Sequence, residues 1–184
     1  MSFLTDNKRH DVPHFACGRR TTQDKSLMTK NRFFWIAAII GLILDQLTKY
    51  WVTQSFAKLG DTLSLWSGVF HFTYVVNTGA AFSFFSNGAG WLRWLSLGVS
   101  LGLIALAWFG PKMKLTEQLG YGFILAGALG NGIDRFFRLG VVDFLDFRLI
   151  LFPVFNLADV FINVGIVFLL IASFRPTSTS NKRR

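Results

Sequence analysis

Apolar residues run almost unbroken through four stretches of this chain, approximately Phe33 to Val52, Trp91 to Phe109, Gln118 to Phe136 and Asn156 to Phe174. Each is long enough to cross about 30 Å of hydrocarbon, which takes roughly 20 helical residues. The runs are continuous and do not alternate, so the pattern predicts four transmembrane helices and excludes a β-barrel. The first run is too long for a cleavable signal peptide, and three more follow it. Between the runs the pattern changes. Thr62-Leu63-Ser64-Leu65-Trp66 and His71-Phe72-Thr73-Tyr74-Val75 alternate as short strands do. Phe144 to Phe155 is a further β-leaning apolar stretch, broken by Asp146, Arg148 and Pro153. The expected fold is therefore an integral membrane protein, mainly α, with four transmembrane helices, a small extracytoplasmic β-cradle and an interfacial segment.

Composition agrees. Of 184 residues, 52% are hydrophobic and 16% charged, with 21 Phe and 6 Trp, which excludes a disordered chain. A single cysteine, Cys17, excludes a disulfide scaffold. The net charge of +9 lies outside the apolar runs. Seven Lys and Arg precede residue 33, two lie in 110–117 and four follow Phe174, placing 13 of the 19 on one side. By the positive-inside rule that side is cytoplasmic, both termini included. Basic tails of this kind are topology signals near anionic lipid, not a nucleic-acid site. The expected division is a basic cytoplasmic extension (1–30), a four-span domain (31–174) and a cytoplasmic tail (175–184). Met28 is a plausible start, and residues 1–27 are expected to be dispensable.

Several polar groups sit inside the runs, where they are expensive and mark function. Asp45 and Lys49 share a helix face at i, i+4. Asn131, Asp134 and Arg135 occupy the third run, and Asn156, Asp159 and Asn163 the fourth. With the termini inside, Asp45, Lys49, Asn131, Asp134, Arg135, Asn156 and Asp159 fall at one depth, in the outer half of the bilayer. Each has a structural alternative. Asp45 with Lys49, and Asp134 with Arg135, can be neutralising ion pairs, and Asn131 can bond across helices. Gly120, Gly122, Gly127, Gly130 and Gly132 read as close helix packing. His71 reads as structural. The spacing of His10, His14 and Cys17 is a poor zinc set, and no metal or organic cofactor is implied.

Asp143 and Asp159 bracket the 144–155 stretch. If that stretch folds back, both carboxylates reach one point at the bundle rim. Two adjacent carboxylates share a proton, so one can take a proton from water while the other donates to a carbonyl. Amide hydrolysis is one chemistry open to such a pair. A small ion- or proton-coupled transporter is the competing reading. It requires polar groups through the full depth, whereas Ile36 to Leu44, Val99 to Trp108 and Val164 to Ala172 are nearly all apolar.

The motifs Asp45-Gln46-Leu47-Thr48-Lys49, Asn77-Thr78-Gly79-Ala80-Ala81-Phe82, Gly130-Asn131-Gly132-Ile133-Asp134-Arg135, Val141-Val142-Asp143-Phe144 and Phe155-Asn156-Leu157-Ala158-Asp159 resemble those of the lipoprotein signal peptidases (signal peptidase II). They occur in the family's order across residues 31–174. The resemblance implies a bacterial inner-membrane aspartyl endopeptidase with its active site near the outer leaflet. Its substrates would be diacylglyceryl-modified prolipoproteins, cut just before the lipidated cysteine. By motif, Asp143 and Asp159 would be catalytic, and Asn77, Asn131, Arg135 and Asn156 would line the substrate site. Asp45, Lys49 and Asp134 would be supporting residues. Cyclic peptide antibiotics of the globomycin type would be inhibitors, and membrane lipid a partner.

Overall fold

The computed structural model describes residues 30–79, 90–138, 140–150 and 152–174. The basic extension with His10, His14 and Cys17, the tail, and Ala80-Ala81-Phe82 of the second motif lie outside the described residues. Four helices are described: α1 (Arg32–Ser55), α2 (Gly90–Phe109), α3 (Leu115–Phe137) and α4 (Leu157–Phe174). Strands β1 (Thr62–Trp66), β2 (Phe70–Asn77) and β3 (Val141–Phe147) form one antiparallel sheet in the order β1-β2-β3. Of the four expected spans, three helices (α1, α2 and α4) are long and apolar enough to cross a membrane. At 23 residues α3 matches them in length, but glycines, Asn131, Asp134 and Arg135 lower its apolar character.

Burial is inverted relative to a protein that folds in water. Asp45, Lys49, Asp134 and Asn156 have no exposed surface, whereas Ile39, Val167 and Leu170 are more than half exposed. That distribution suits hydrocarbon outside and a polar seam inside. The helices run up and down, and α3 packs against the other three.

Small residues let α3 approach so closely. A Cβ at Gly122 would meet the Phe34 carbonyl of α1 at 2.6 Å, and one at Gly165 would meet the Gly120 carbonyl at 2.6 Å. The glycine run is thus helix packing, as the sequence suggested. Phe123 stacks on Phe161 and Phe168 of α4 beside this crossing, with ring centroids 5.7 and 6.0 Å apart.

Both ends of the bundle are fastened. At one, buried Asn31 donates to the Ala107 carbonyl (3.0 Å) and accepts from the Met113 amide (3.0 Å). Gln118 accepts the Phe33 N–H (3.1 Å), a helix-start donor with no partner inside α1. At the other end Val52 of α1 packs with Val142 and Phe144 of β3, seating the sheet on the bundle. Three helix ends therefore meet beneath the sheet: the last turns of α1 and α3 and the first turn of α4.

Candidate active site

Asp143 stands on β3 opposite Val75, just past an irregularity in the β2–β3 register. Asn77 pairs with Val141, two residues away, which makes Asn77 and Asp143 diagonal neighbours. Its Nδ2 donates to Asp143 Oδ2 at 3.1 Å, while its Oδ1 accepts the Gly79 N–H at 2.9 Å. The segment after β3 does fold back. Leu145 bridges Phe155, with their amides and carbonyls paired at 2.8 and 3.1 Å. This return delivers Asn156 and the start of α4 beside Asp143.

Asn156 caps α4. Its Oδ1 accepts the Asp159 N–H at 3.1 Å, and Asp159 Oδ2 accepts the Asn156 N–H at 3.3 Å. This reciprocal arrangement is a capping box, and an anion there also suits the helix dipole. The same Asn156 reaches the other carboxylate, donating to Asp143 Oδ1 at 2.6 Å. One asparagine thus joins both carboxylates. Because it is wholly buried, it stands behind the site wall and not on it, where the sequence had put it among substrate contacts.

In front of the pair opens a cavity of about 230 Å³. Asp143, Asp159, Asn77, Asn131 and Arg135 line it, together with Val141, Asn163 and the returning residues Phe152 to Phe155. Arg135 donates to the Asn131 carbonyl oxygen at 3.3 Å. Neutralisation of Asp134 by Arg135, one sequence expectation, is not formed. Asp134 accepts from Lys49 at 3.0 Å and from the Val142 N–H at 3.3 Å, with Arg138 at 3.9 Å. Adjacent helical residues point about 100° apart, so Arg135 faces the cavity while Asp134 faces the bundle. Asp45 and Lys49 do pair, at 2.9 Å, and Asp45 also accepts the Ala158 N–H of α4 at 2.9 Å.

Asp143 is 2% exposed, and its carboxyl is pushed up to about 7. Burial is the main cause and the negative charge of Asp159 the second, opposed by the bonds from Asn77 and Asn156. Asp143 is therefore the group that holds a proton near neutral pH. Asp159 accepts from Asn131 Nδ2 at 2.8 Å and from the Asn156 N–H at 3.3 Å. Together they can move protons on both sides of an amide placed between them.

His71 is buried in the sheet beside Thr62 and Ser64, away from this cavity. Among the described residues no group of three His, Cys, Asp or Glu converges to hold a metal ion. Two features were missed in the sequence: the capping role of Asn156, and Asn163 on the cavity wall. The Asn-x-x-Asp spacing of a capping box was the signal for the first. Asn163 was marked as a polar residue inside the fourth run, but it was not assigned to the site.

Comparison with known proteins adds the following. A family model described as signal peptidase (SPase) II matches residues 37–175. The lipoprotein signal peptidase of Gloeothece citriformis is 73% identical over 156 residues, covering 85% of this chain and 98% of that protein. That of Nostoc punctiforme is 70% identical over 154 residues, covering 84% and 97%. A solved bacterial membrane enzyme superposes with a TM-score of 0.71 at 29% identity, covering 81% of this chain and 92% of that one.

Proposed function

The chain belongs to the signal peptidase II family, and from that premise we propose which residues do its work and where in the membrane they do it. It is a multi-pass membrane endopeptidase of the aspartic class that removes signal peptides from prolipoproteins. In our reading Asp143 and Asp159 are the catalytic pair, and the observation that carries it is their junction through Asn156 at the cavity floor. Ionised Asp159 takes a proton from water, whose oxygen attacks the scissile carbonyl carbon. Asp143 gives its proton to the carbonyl oxygen, forming a neutral gem-diol. The C–N bond then breaks as Asp159 returns its proton to the leaving amine. A hydroxyl of the diol gives its proton back to Asp143, and both carboxyls end as they began.

The substrate we propose carries diacylglycerol on the cysteine that follows the cut. The polar seam lies at one end of apolar helices, so acyl chains would hold that cysteine at cavity depth. α3 completes four spans, because α2 ends where α3 begins and α4 begins where α3 ends. Both termini then lie in the cytoplasm of a bacterium, with the cavity at the outer leaflet of its inner membrane. Membrane lipid contacts the exposed apolar faces, and globomycin-type cyclic peptides occupy the cavity. Residues 31–174 form the peptidase domain, with residues 1–30 and 175–184 as cytoplasmic extensions.

The test is reconstitution in vesicles with paired precursor peptides, lipidated and not. The lipidated peptide should yield a product beginning at the modified cysteine, while the free-thiol peptide is cut at least tenfold more slowly. Equal cleavage of both would remove lipid from the recognition. Reporter fusions after Phe174 that appear outside the membrane would overturn the topology.

Two further outcomes follow. kcat/KM should fall as pH rises through about 7, because Asp143 loses the proton it must donate. A pH–rate profile flat from 6 to 9 would contradict this role. Arg135→Lys keeps the charge but loses the planar fork of donors that holds the Asn131 carbonyl and faces the cavity. kcat/KM should drop about tenfold or more, and an unchanged value would leave Arg135 as a topology charge only.

A further inference from the structure

Lys49 is wholly buried, and its ammonium has three partners: Asp45 at 2.9 Å, Asp134 at 3.0 Å and Asn131 Oδ1 at 3.0 Å. Neutralisation explains the first two. It does not explain the third. Asp45 also has the Ala158 N–H and Gln46, and Asp134 has the Val142 N–H. The lysine nonetheless spends a donor on a neutral amide whose far side touches the catalytic carboxylate.

The geometry points to Lys49 as a positioning residue that fixes which way the Asn131 amide faces. An ammonium can only donate, so the Asn131 atom against it must be the oxygen. That oxygen also accepts from Asn156 Nδ2 at 3.0 Å. The amide nitrogen is left to turn toward Asp159 Oδ1, at 2.8 Å. Flipped, Asn131 would set its NH2 against the ammonium and the Asn156 NH2, and its carbonyl against the carboxylate. All three contacts would be repulsive. Asp159 favours the same orientation from the cavity side, and Lys49 is the cation that holds the Asn131 oxygen from inside the bundle. The same orientation releases Asn156 to donate to Asp143 and to accept from Asp159. One lysine, outside the cavity, thereby sets the donors on both carboxylates.

This inference rests on Asp143 and Asp159 being the peptidase pair. Lys49→Met alone would leave two buried carboxylates unpaired and risk unfolding. The test therefore combines Lys49→Met with Asp134→Asn, which leaves the net buried charge unchanged. Its control is Asp134→Asn alone, whose amide oxygen can still accept the Val142 N–H and which should cleave within threefold of the parent enzyme. The combined variant should melt near the control and keep KM within twofold. Its kcat should be about ten- to a hundredfold lower, the worth of one hydrogen bond to a charged group. A folded combined variant with the control's kcat overturns the inference.

Should it not fold, Asn131→Asp asks the same question with Lys49 in place. It would turn an oxygen on Asp159, and a kcat within threefold of the parent overturns the inference equally. Failure of the underlying reading is separately visible, because Asp143→Asn or Asp159→Asn would then cleave whatever Lys49 does.

Discussion

Asp143→Asn and Asp159→Asn are each expected to lower cleavage of a lipidated precursor by about four orders of magnitude or more, the upper range for removing a proton-transfer group. The change swaps one oxygen for nitrogen at nearly constant volume. Asp159→Asn can still accept the Asn156 N–H and keep half of the capping box. Its new NH2 faces the Asn131 donor, at a cost of about 1 kcal/mol. Asp143→Asn meets a similar conflict with Asn77 or Asn156. Neither cost should unfold a bundle whose helices pack elsewhere, so melting in detergent should fall only a few degrees. An amide can neither take a proton from water nor deliver one to a carbonyl. The two carboxylates act as one unit, and the double variant should be hardly slower than either single one. Lipidated precursor should still bind, through lipid contacts and the Asn77, Asn131 and Arg135 side of the cavity. If Asp134→Asn were inactive while Asp143→Asn cleaved normally, the first carboxylate would be misassigned.

Gly127→Ala should also be damaging, through geometry instead of chemistry. A Cβ at residue 127 would strike the Ala158 carbonyl oxygen and come within 2.5 Å of Ile162 Cγ1 on α4. The obstructing atom is backbone, so no rotamer relieves it and α3 and α4 must separate. Overpacking of this kind costs about 1–3 kcal/mol, occasionally more. Ala158 immediately precedes Asp159, and its N–H is held by Asp45. Separation therefore shifts the Asp159 carboxylate against Asp143. A displacement near 1 Å costs about a hundredfold in rate. Gly102→Ala is the control, since a Cβ there meets nothing within 4 Å. Full activity and unchanged melting of Gly127→Ala would show that the α3–α4 contact can relax freely.

The parts that were legible in the sequence are those written in local pattern. Continuous apolar runs gave the four described helices within a few residues of their ends, and alternation gave β1 and most of β2. The gathering of Asp45, Lys49, Asn131 and Asp134 at one end of the bundle followed from the same runs. Contacts between distant residues were not legible. Lys49 meets Asp134 across 85 positions and Asn131 across 82, and no periodicity announces either. That is why Arg135, next door in sequence, was the neutralising partner expected for Asp134. β3 begins at Val141 and carries Asp143 within it, although the β-leaning stretch was read as starting at Phe144. There the strand's first half is buried on both faces, so it lacks alternation. The carboxylate pair was approached from two sides, by its placement around a returning segment and by the family motifs. Only the folded chain supplies Asn156 as the junction between them.

The central claim is that the two carboxylates activate water directly, with no covalent intermediate. Single-turnover cleavage in ¹⁸O-enriched water, read by mass spectrometry, tests it. One labelled oxygen should appear in the new C-terminal carboxylate of the released signal peptide, and none in Asp143 or Asp159. Label in either aspartate, with an unlabelled signal peptide in the first turnover, would mean that a carboxylate attacked the carbonyl itself and would contradict the account.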